Sequence, residues 1–231
     1  MNGILLVDKP AGWTSFDVVN KVRRLIETSG LNATNKKRFP VGHTGTLDPL
    51  ATGLLVLMLG RYTKKVPQYT KLDKTYEVTM RLGQTSTTGD DEGEKTLVSD
   101  RQPTKEELHI AMARFEGDIM QTPPVFSAIK INGQRAYKLA REGKAPAMQA
   151  RPAHIERIIL TRYAYPYVFF TTHVSSGTYI RSLVEDMGRL LATGAYMSDL
   201  RRTRVGQFQV AGALMVGIET TPAEMSKRII D

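Results

Sequence analysis

The chain has 231 residues, of which 32 are Lys or Arg and 23 are Asp or Glu, a formal net charge of +9. Hydrophobic residues make up 41% and charged residues 24%, a globular balance that excludes wholesale disorder. Cysteine is absent and the four histidines (His43, His109, His154, His173) stand at no ligand spacing, so a disulfide framework, a thiol nucleophile and a Cys/His metal site are excluded, and no metal is expected.

In chain order, residues 3–7 read as a short buried strand that ends at the turn signal Lys9-Pro10-Ala11-Gly12. Ser15 is placed to cap a helix, because Val18, Val19, Val22, Leu25 and Ile26 follow helical spacing. Residues 29–40 are polar and basic and read as a loop. Residues 42–53, GHTGTLDPLATG, are irregular and punctuated by three glycines. The longest apolar run, Leu54 to Leu59, is a buried strand candidate and far too short for the ~20 residues that span a bilayer. The N-terminal apolar run is likewise too short for a signal peptide, so a cytoplasmic protein with no membrane contact is expected.

Residues 75–82 alternate and predict a strand. Thr85–Lys95 reads as a polar loop, whose Asp90, Asp91 and Glu92 are expected to lie away from any nucleic-acid face or in a turn. Thr104 and Glu107 stand at capping-box spacing for a helix running to about Phe115. A short strand over Ser127–Ile131, the turn pair Asn132-Gly133 and a basic helix from Arg135 to Arg141 follow. Two strands, 154–162 and 166–174, flank a Tyr165-Pro166 turn. Ile180, Leu183, Val184, Met187, Leu190 and Leu191 mark the clearest amphipathic helix, and a last strand is predicted over 204–210. Strands and helices mix without a βαβ rhythm, which predicts an α+β fold: one domain with a mixed, largely antiparallel central sheet flanked by helices and loops.

Three positions draw attention as chemistry. Asp48 is the one carboxylate in the glycine-punctuated loop. That loop lacks the Gly-Lys-Ser/Thr of a phosphate loop and the several acids of a calcium loop. Followed by Pro49, Asp48 suits a helix or turn cap; ionised and positioned, it is also a covalent nucleophile. Arg181, on the border of the apolar helix face, either snorkels or reaches inward to keep a carboxylate ionised. Tyr76 shares a strand face with Val78 and Met80, where it packs in the core or offers a stacking platform for a base. The basic residues in Lys130–Lys144 and at Arg201, Arg202 and Arg204 are solvated faces or, given the net +9, phosphate contacts.

Residues 42–53 closely resemble the catalytic motif of the bacterial tRNA pseudouridine-55 synthases, the TruB family. GILLVDKPAGWTS (3–15), KTYEVTMRLGQTSTTGDDEG (74–93), QTPPVFSAIKINGQRAYKLAREG (121–143), SSGTYIRSLVEDMG (175–188) and LRRTRVGQF (200–208) resemble the family's other motifs, in the same order. The resemblance implies a pseudouridine synthase fold and isomerisation of uridine to pseudouridine at position 55 of the tRNA T loop. It implies that Asp48 is the essential carboxylate and Arg181 its partner, and that Tyr76 stacks on the uracil. Tyr179 and Leu200 would line the uridine pocket, His43 would hold the RNA loop open, and Lys9 and Pro10 would support the site. It implies no metal and no organic cofactor, tRNA through its T arm as partner, a monomer and no obligate protein partner. The alternative on the same fold is a non-catalytic RNA-binding or tRNA-folding factor. A single catalytic domain over 1–231 is expected, with a thumb-like RNA-binding insertion over 124–152 and no C-terminal PUA domain. RNA affinity is then expected to be weaker, or to be compensated by the basic stretch Asn35-Lys36-Lys37-Arg38.

Overall fold

The computed structural model describes residues 1–30, 38–127, 129–131, 133–144, 146–217 and 219–230. Residues 35–37 of the basic stretch and Asn132 of the Asn-Gly turn lie outside them. The chain forms two compact units, Met1–Glu77 with Leu200–Asp231, and Val78–Asp199.

In the first unit β1 (Gly3–Lys9) leads to α1 (Ser15–Thr28), β2 (Val41–His43), β3 (Thr52–Leu59), a 3-10 turn (Gly60–Lys65) and α2 (Val66–Thr70). β1 pairs antiparallel with β3, and β3 pairs antiparallel with β2. The run Leu54–Leu59 is unbroken because β3 is buried on both faces. Leu55, Leu57 and Leu59 meet Val18, Val22 and Ile26 of α1, whereas Leu54, Val56 and Met58 cluster with Val205 and Phe208. Thr14, not Ser15, caps α1: its hydroxyl accepts from Asp17 N and the Asp17 carboxylate accepts from Thr14 N. That frees Ser15 for another task described below.

β4 (Lys74–Leu82) carries the chain into the second unit. There β5 (Gln84–Ser86) and β6 (Lys95–Leu97) form a hairpin, so the polar loop of the sequence reading is shorter than expected. α3 (Lys105–Ala113) starts with the predicted Thr104–Glu107 box and stops before Phe115. β7 (Gly117–Gln121), the β8 (Lys130–Ile131) and β9 (Gln134–Arg135) hairpin, α4 (Ala136–Arg141), β10 (Arg151–Ala164) and β11 (Tyr167–Val174) follow, with strand order β4-β11-β10-β7. α5 (Ile180–Leu190) buries Ile180, Leu183, Val184 and Met187 as predicted, but Leu190 is exposed.

β12 (Ala195–Val205) returns the chain to the first unit and is longer than the 204–210 strand of the sequence reading. Its polar residues Arg201, Arg202 and Thr203 hid the alternation that marks a strand. It pairs parallel to β3 and antiparallel to β13 (Phe208–Gln209). β14 (Leu214–Met215), α6 (Pro222–Ser226) and β15 (Ile229–Ile230) finish the unit, with β14 parallel and β15 antiparallel to β1. The strand pairings are mixed and largely antiparallel, and the fold is α+β, as the sequence predicts. Among the described residues no helix is long and apolar enough to cross a membrane.

Candidate active site

The first unit carries Asp48, His43, Tyr76, Leu200, Lys9 and Pro10; the second carries Tyr179 and Arg181. Asp48 is half-buried in an irregular segment between β2 and β3. It caps no helix: its carbonyl accepts from Ala51 N at 3.1 Å, closing a turn. The residue before it, Leu47, is bonded to Ser15, whose Oγ accepts from Leu47 N (2.8 Å) and donates to Leu47 O (3.1 Å). The residue after it, Pro49, accepts from Gly12 N at 2.8 Å and from Lys9 Nζ at 3.1 Å. Lys9 is fully buried, and its ammonium also donates to the carbonyls of Pro10 (2.9 Å) and Trp13 (2.5 Å). Backbone carbonyls thus solvate the buried charge.

Arg202 is 2% exposed, so it is not the phosphate contact that its basic run suggested. Its Nε donates to Leu54 O (2.7 Å), Nη2 to Gly45 O (3.0 Å) and Nη1 to Thr46 O (3.4 Å). Its neighbour Arg201 makes a bidentate pair with Asp8, at 2.6 and 3.1 Å. His43 ends β2. Burial first, and the Arg202 charge second, lower its pKa, so its imidazole is neutral at pH 7. Its Nδ1 is buried without a hydrogen-bond partner among the described residues. Tyr76 and Leu200 are both buried.

In the second unit Arg181 stands in the first turn of α5, at 6% exposure. It donates to Phe126 O (2.8 Å) and Thr88 O (3.2 Å), and lies 3.6 Å from the Asp90 carboxylate. Asp90 is therefore a buried acid on the turn after β5. It is 3% exposed and also accepts from Thr88 Oγ1 and Glu92 N. Tyr179, half-buried, precedes α5 and has no side-chain cap bond. The buried Gln121 amide holds its backbone, accepting from Tyr179 N at 2.7 Å and donating to Tyr179 O at 3.0 Å. Among the described residues no cluster of His, Asp or Glu is arranged to hold a metal.

Ser15 and Arg202 in the first unit, and Gln121 and Asp90 in the second, were not singled out by sequence for these contacts. Ser15, Gln121 and Arg202 act on distant backbone, which leaves no local pattern, and Arg202 was visible only as one of a basic run.

The family match and the likeness to solved structures place the protein among the pseudouridine synthases, isomerases that act on RNA. The description "TruB family pseudouridylate synthase (N terminal domain)" matches residues 32–180, and "tRNA pseudouridylate synthase B C-terminal domain" matches residues 181–225. The chain belongs to the TruB family. It is 42% identical to tRNA pseudouridine synthase B of Opitutus terrae over 100% of this chain and 92% of that protein. It is 43% identical to the protein of the same name from Gluconacetobacter diazotrophicus, over 94% of this chain and 68% of that one. Among solved structures, a Cbf5-Nop10-Gar1 complex matches with TM-score 0.67 and 30% identity, over 90% of this chain and 50% of that one. An archaeal box H/ACA sRNP Nop10-Cbf5 complex matches with TM-score 0.66 and 27% identity, over 97% and 53%. The chain spans about half the length of these solved chains.

Proposed function

We propose that the protein isomerises uridine to pseudouridine in tRNA, at position 55 of the T loop, with Asp48 as the essential carboxylate. One observation carries this reading above the rest: a chain 42% identical over its whole length to a tRNA pseudouridine synthase B holds its Asp48 between two anchored peptides. The reaction breaks the N1–C1′ bond, turns the uracil and forms a C5–C1′ bond, so the base must first leave its stack. Extrusion costs a few kcal/mol, and stacking on one aromatic ring returns about 1–3 kcal/mol. Tyr76 is assigned that stacking. Tyr179 and Leu200 are assigned to the uridine and Arg181 to catalysis, on the match of their motifs. His43 is assigned to the opened RNA loop, Lys9 and Pro10 to support of the site, and the segment 124–152 to RNA binding as a thumb. RNA loops are commonly read by shape and splayed bases, with cations on the phosphates, which suits the net charge of +9. The protein acts in the cytoplasm as a monomer, with the tRNA T arm as its partner.

The test is incubation with an unmodified tRNA transcript and position-resolved pseudouridine mapping, for the wild type and Asp48→Asn. The expected result is one product in the T loop, abolished by the substitution while tRNA still binds. A product elsewhere overturns the position. Binding without any product by the wild type makes the protein a tRNA-folding factor instead.

A further inference from the structure

We propose that Ser15 and Arg202 are positioning residues for Asp48, setting its carboxylate by fastening the backbone that leads up to it. The inference rests on the reading of Asp48 as the catalytic group. The segment between β2 and β3 has neither helix nor strand to define it at Asp48. Such segments are ordinarily the variable, mobile parts of a fold. Catalysis demands the opposite, since a misplacement of about 1 Å costs on the order of 100-fold in rate. Something other than secondary structure must therefore hold the loop.

The side chains that do so arrive from two distant elements of the first unit. Arg202, on β12, takes the carbonyls of Gly45 and Thr46 while its Nε stays on Leu54 O of β3, so the loop is tied to the strand that follows it. Its guanidinium is planar and offers donors in a fixed fork, so the three acceptors are set relative to one another; a lysine ammonium has no such fork. Ser15, at the start of α1, takes both backbone groups of Leu47 with one hydroxyl. A hydroxyl is donor and acceptor at once, which is what a single peptide residue presents. Both side chains are buried, so water does not compete for these bonds. The bonds end at the residue next to Asp48, and Lys9 and Gly12 close the other side at Pro49. Position is therefore fixed on each flank while the Asp48 side chain itself remains half-exposed for a substrate.

Steady-state kinetics on an unmodified tRNA transcript test this, with Ser15→Ala, Ser15→Thr, Arg202→Lys and Asp48→Asn run together and each checked by thermal melting. Ser15→Ala and Arg202→Lys should each lower kcat about tenfold or more, with KM and tRNA affinity within about threefold. Ser15→Thr, which keeps the hydroxyl on the same carbon, should restore most of the kcat lost by Ser15→Ala. A kcat at the wild-type level in Ser15→Ala and Arg202→Lys, or a loss seen equally in KM, overturns the proposal. Loss of the folded state in both variants overturns it as well, because the bonds would then serve the fold and not the carboxylate. An active Asp48→Asn brings down the underlying reading. An inactive Asp48→Asn beside fully active Ser15→Ala and Arg202→Lys brings down this inference alone.

Discussion

Arg181 and Asp90 form a buried ion pair at 3.6 Å, with side chains 7% and 4% exposed. Asp90 lies on the turn after β5, and its other bonds to Thr88 Oγ1 and Glu92 N keep that turn closed. A buried charge that loses its partner is strongly destabilising, by about 3–5 kcal/mol in comparable cases. Asp90→Ala should therefore lower the free energy of unfolding by about 3 kcal/mol, read as a lower urea midpoint at unchanged slope. Asp90→Asn keeps an acceptor for Thr88 and Glu92, so it should cost less. Equal losses in the two variants would place the whole cost in the lost charge and none in the lost acceptor, whereas a wild-type midpoint in Asp90→Asn would show that the charge contributes nothing.

Gln121 is expected to matter through its shape. Its amide offers Tyr179 one acceptor and one donor, as a neighbouring strand would. Gln121→Leu fills similar space and leaves both backbone groups of Tyr179 without that partner. An unsatisfied buried group costs about 1–3 kcal/mol, so urea unfolding should show a loss of at least that size. Faster hydrogen exchange at the Tyr179 amide should accompany it, since that amide donates to Gln121 Oε1. Unchanged exchange at Tyr179 would refute the assignment.

These two contacts mark how far the sequence could be read. The apolar spacing in α1 and α5, the alternation in β4 and the unbroken run in β3 were legible because each follows from local burial. The Thr104–Glu107 box was legible for the same reason, since its partners are three residues apart. Arg202 with Gly45, Ser15 with Leu47 and Gln121 with Tyr179 are long-range pairs, and nothing in either member's neighbourhood announces the other. The acidic run at Asp90 was legible as a turn, but its buried ion pair was not. Three adjacent acids look solvated, yet one of them faces inward to Arg181. Asp48, by contrast, was found through its motif, and its half-buried loop placement carries no signal in hydropathy at all.

Lys74 gives a pH prediction. Its ammonium is buried, donating to the carbonyls of Thr70 (2.8 Å) and Leu72 (2.5 Å). Burial, and then the Arg202 charge, lower its pKa from the ordinary 10.5 to about 8. Below about pH 8 both folded and unfolded chains hold this proton, and the cost of the buried charge is present in full. Between about 8 and 10.5 the unfolded chain binds more proton, so stability rises with pH. The full relief corresponds to about 3 kcal/mol. Lys74→Met removes the titrating group and leaves two carbonyls without this donor, an offset that does not vary with pH. The stability of the wild type relative to Lys74→Met should therefore climb by about 3 kcal/mol across that window in urea titrations. A constant difference would mean that Lys74 keeps its ordinary affinity for the proton.

Gly53 sits where β3 meets β12, paired with Arg202 in parallel register. Its φ is +99°, a conformation that side chains rarely adopt, and a Cβ there would stand 2.3 Å from Arg202 O and 2.8 Å from Arg202 N. Both obstacles are backbone, so neither can swing aside. Gly53→Ala must push β12 away from β3, and Arg202 would move with it, loosening its hold on Gly45 and Thr46. The backbone strain alone is worth about 1–3 kcal/mol, and the clash adds to it. The variant should melt several degrees lower. If Arg202 sets the loop, any folded fraction should also lose kcat. Gly12→Ala is the matched control: φ there is also positive, +80°, but nothing lies within 4 Å of the added carbon. It should show the strain without the displacement of Arg202, and so a smaller fall in melting temperature than Gly53→Ala. Equal falls in the two variants would place the whole cost in backbone conformation and none in the approach of the two strands.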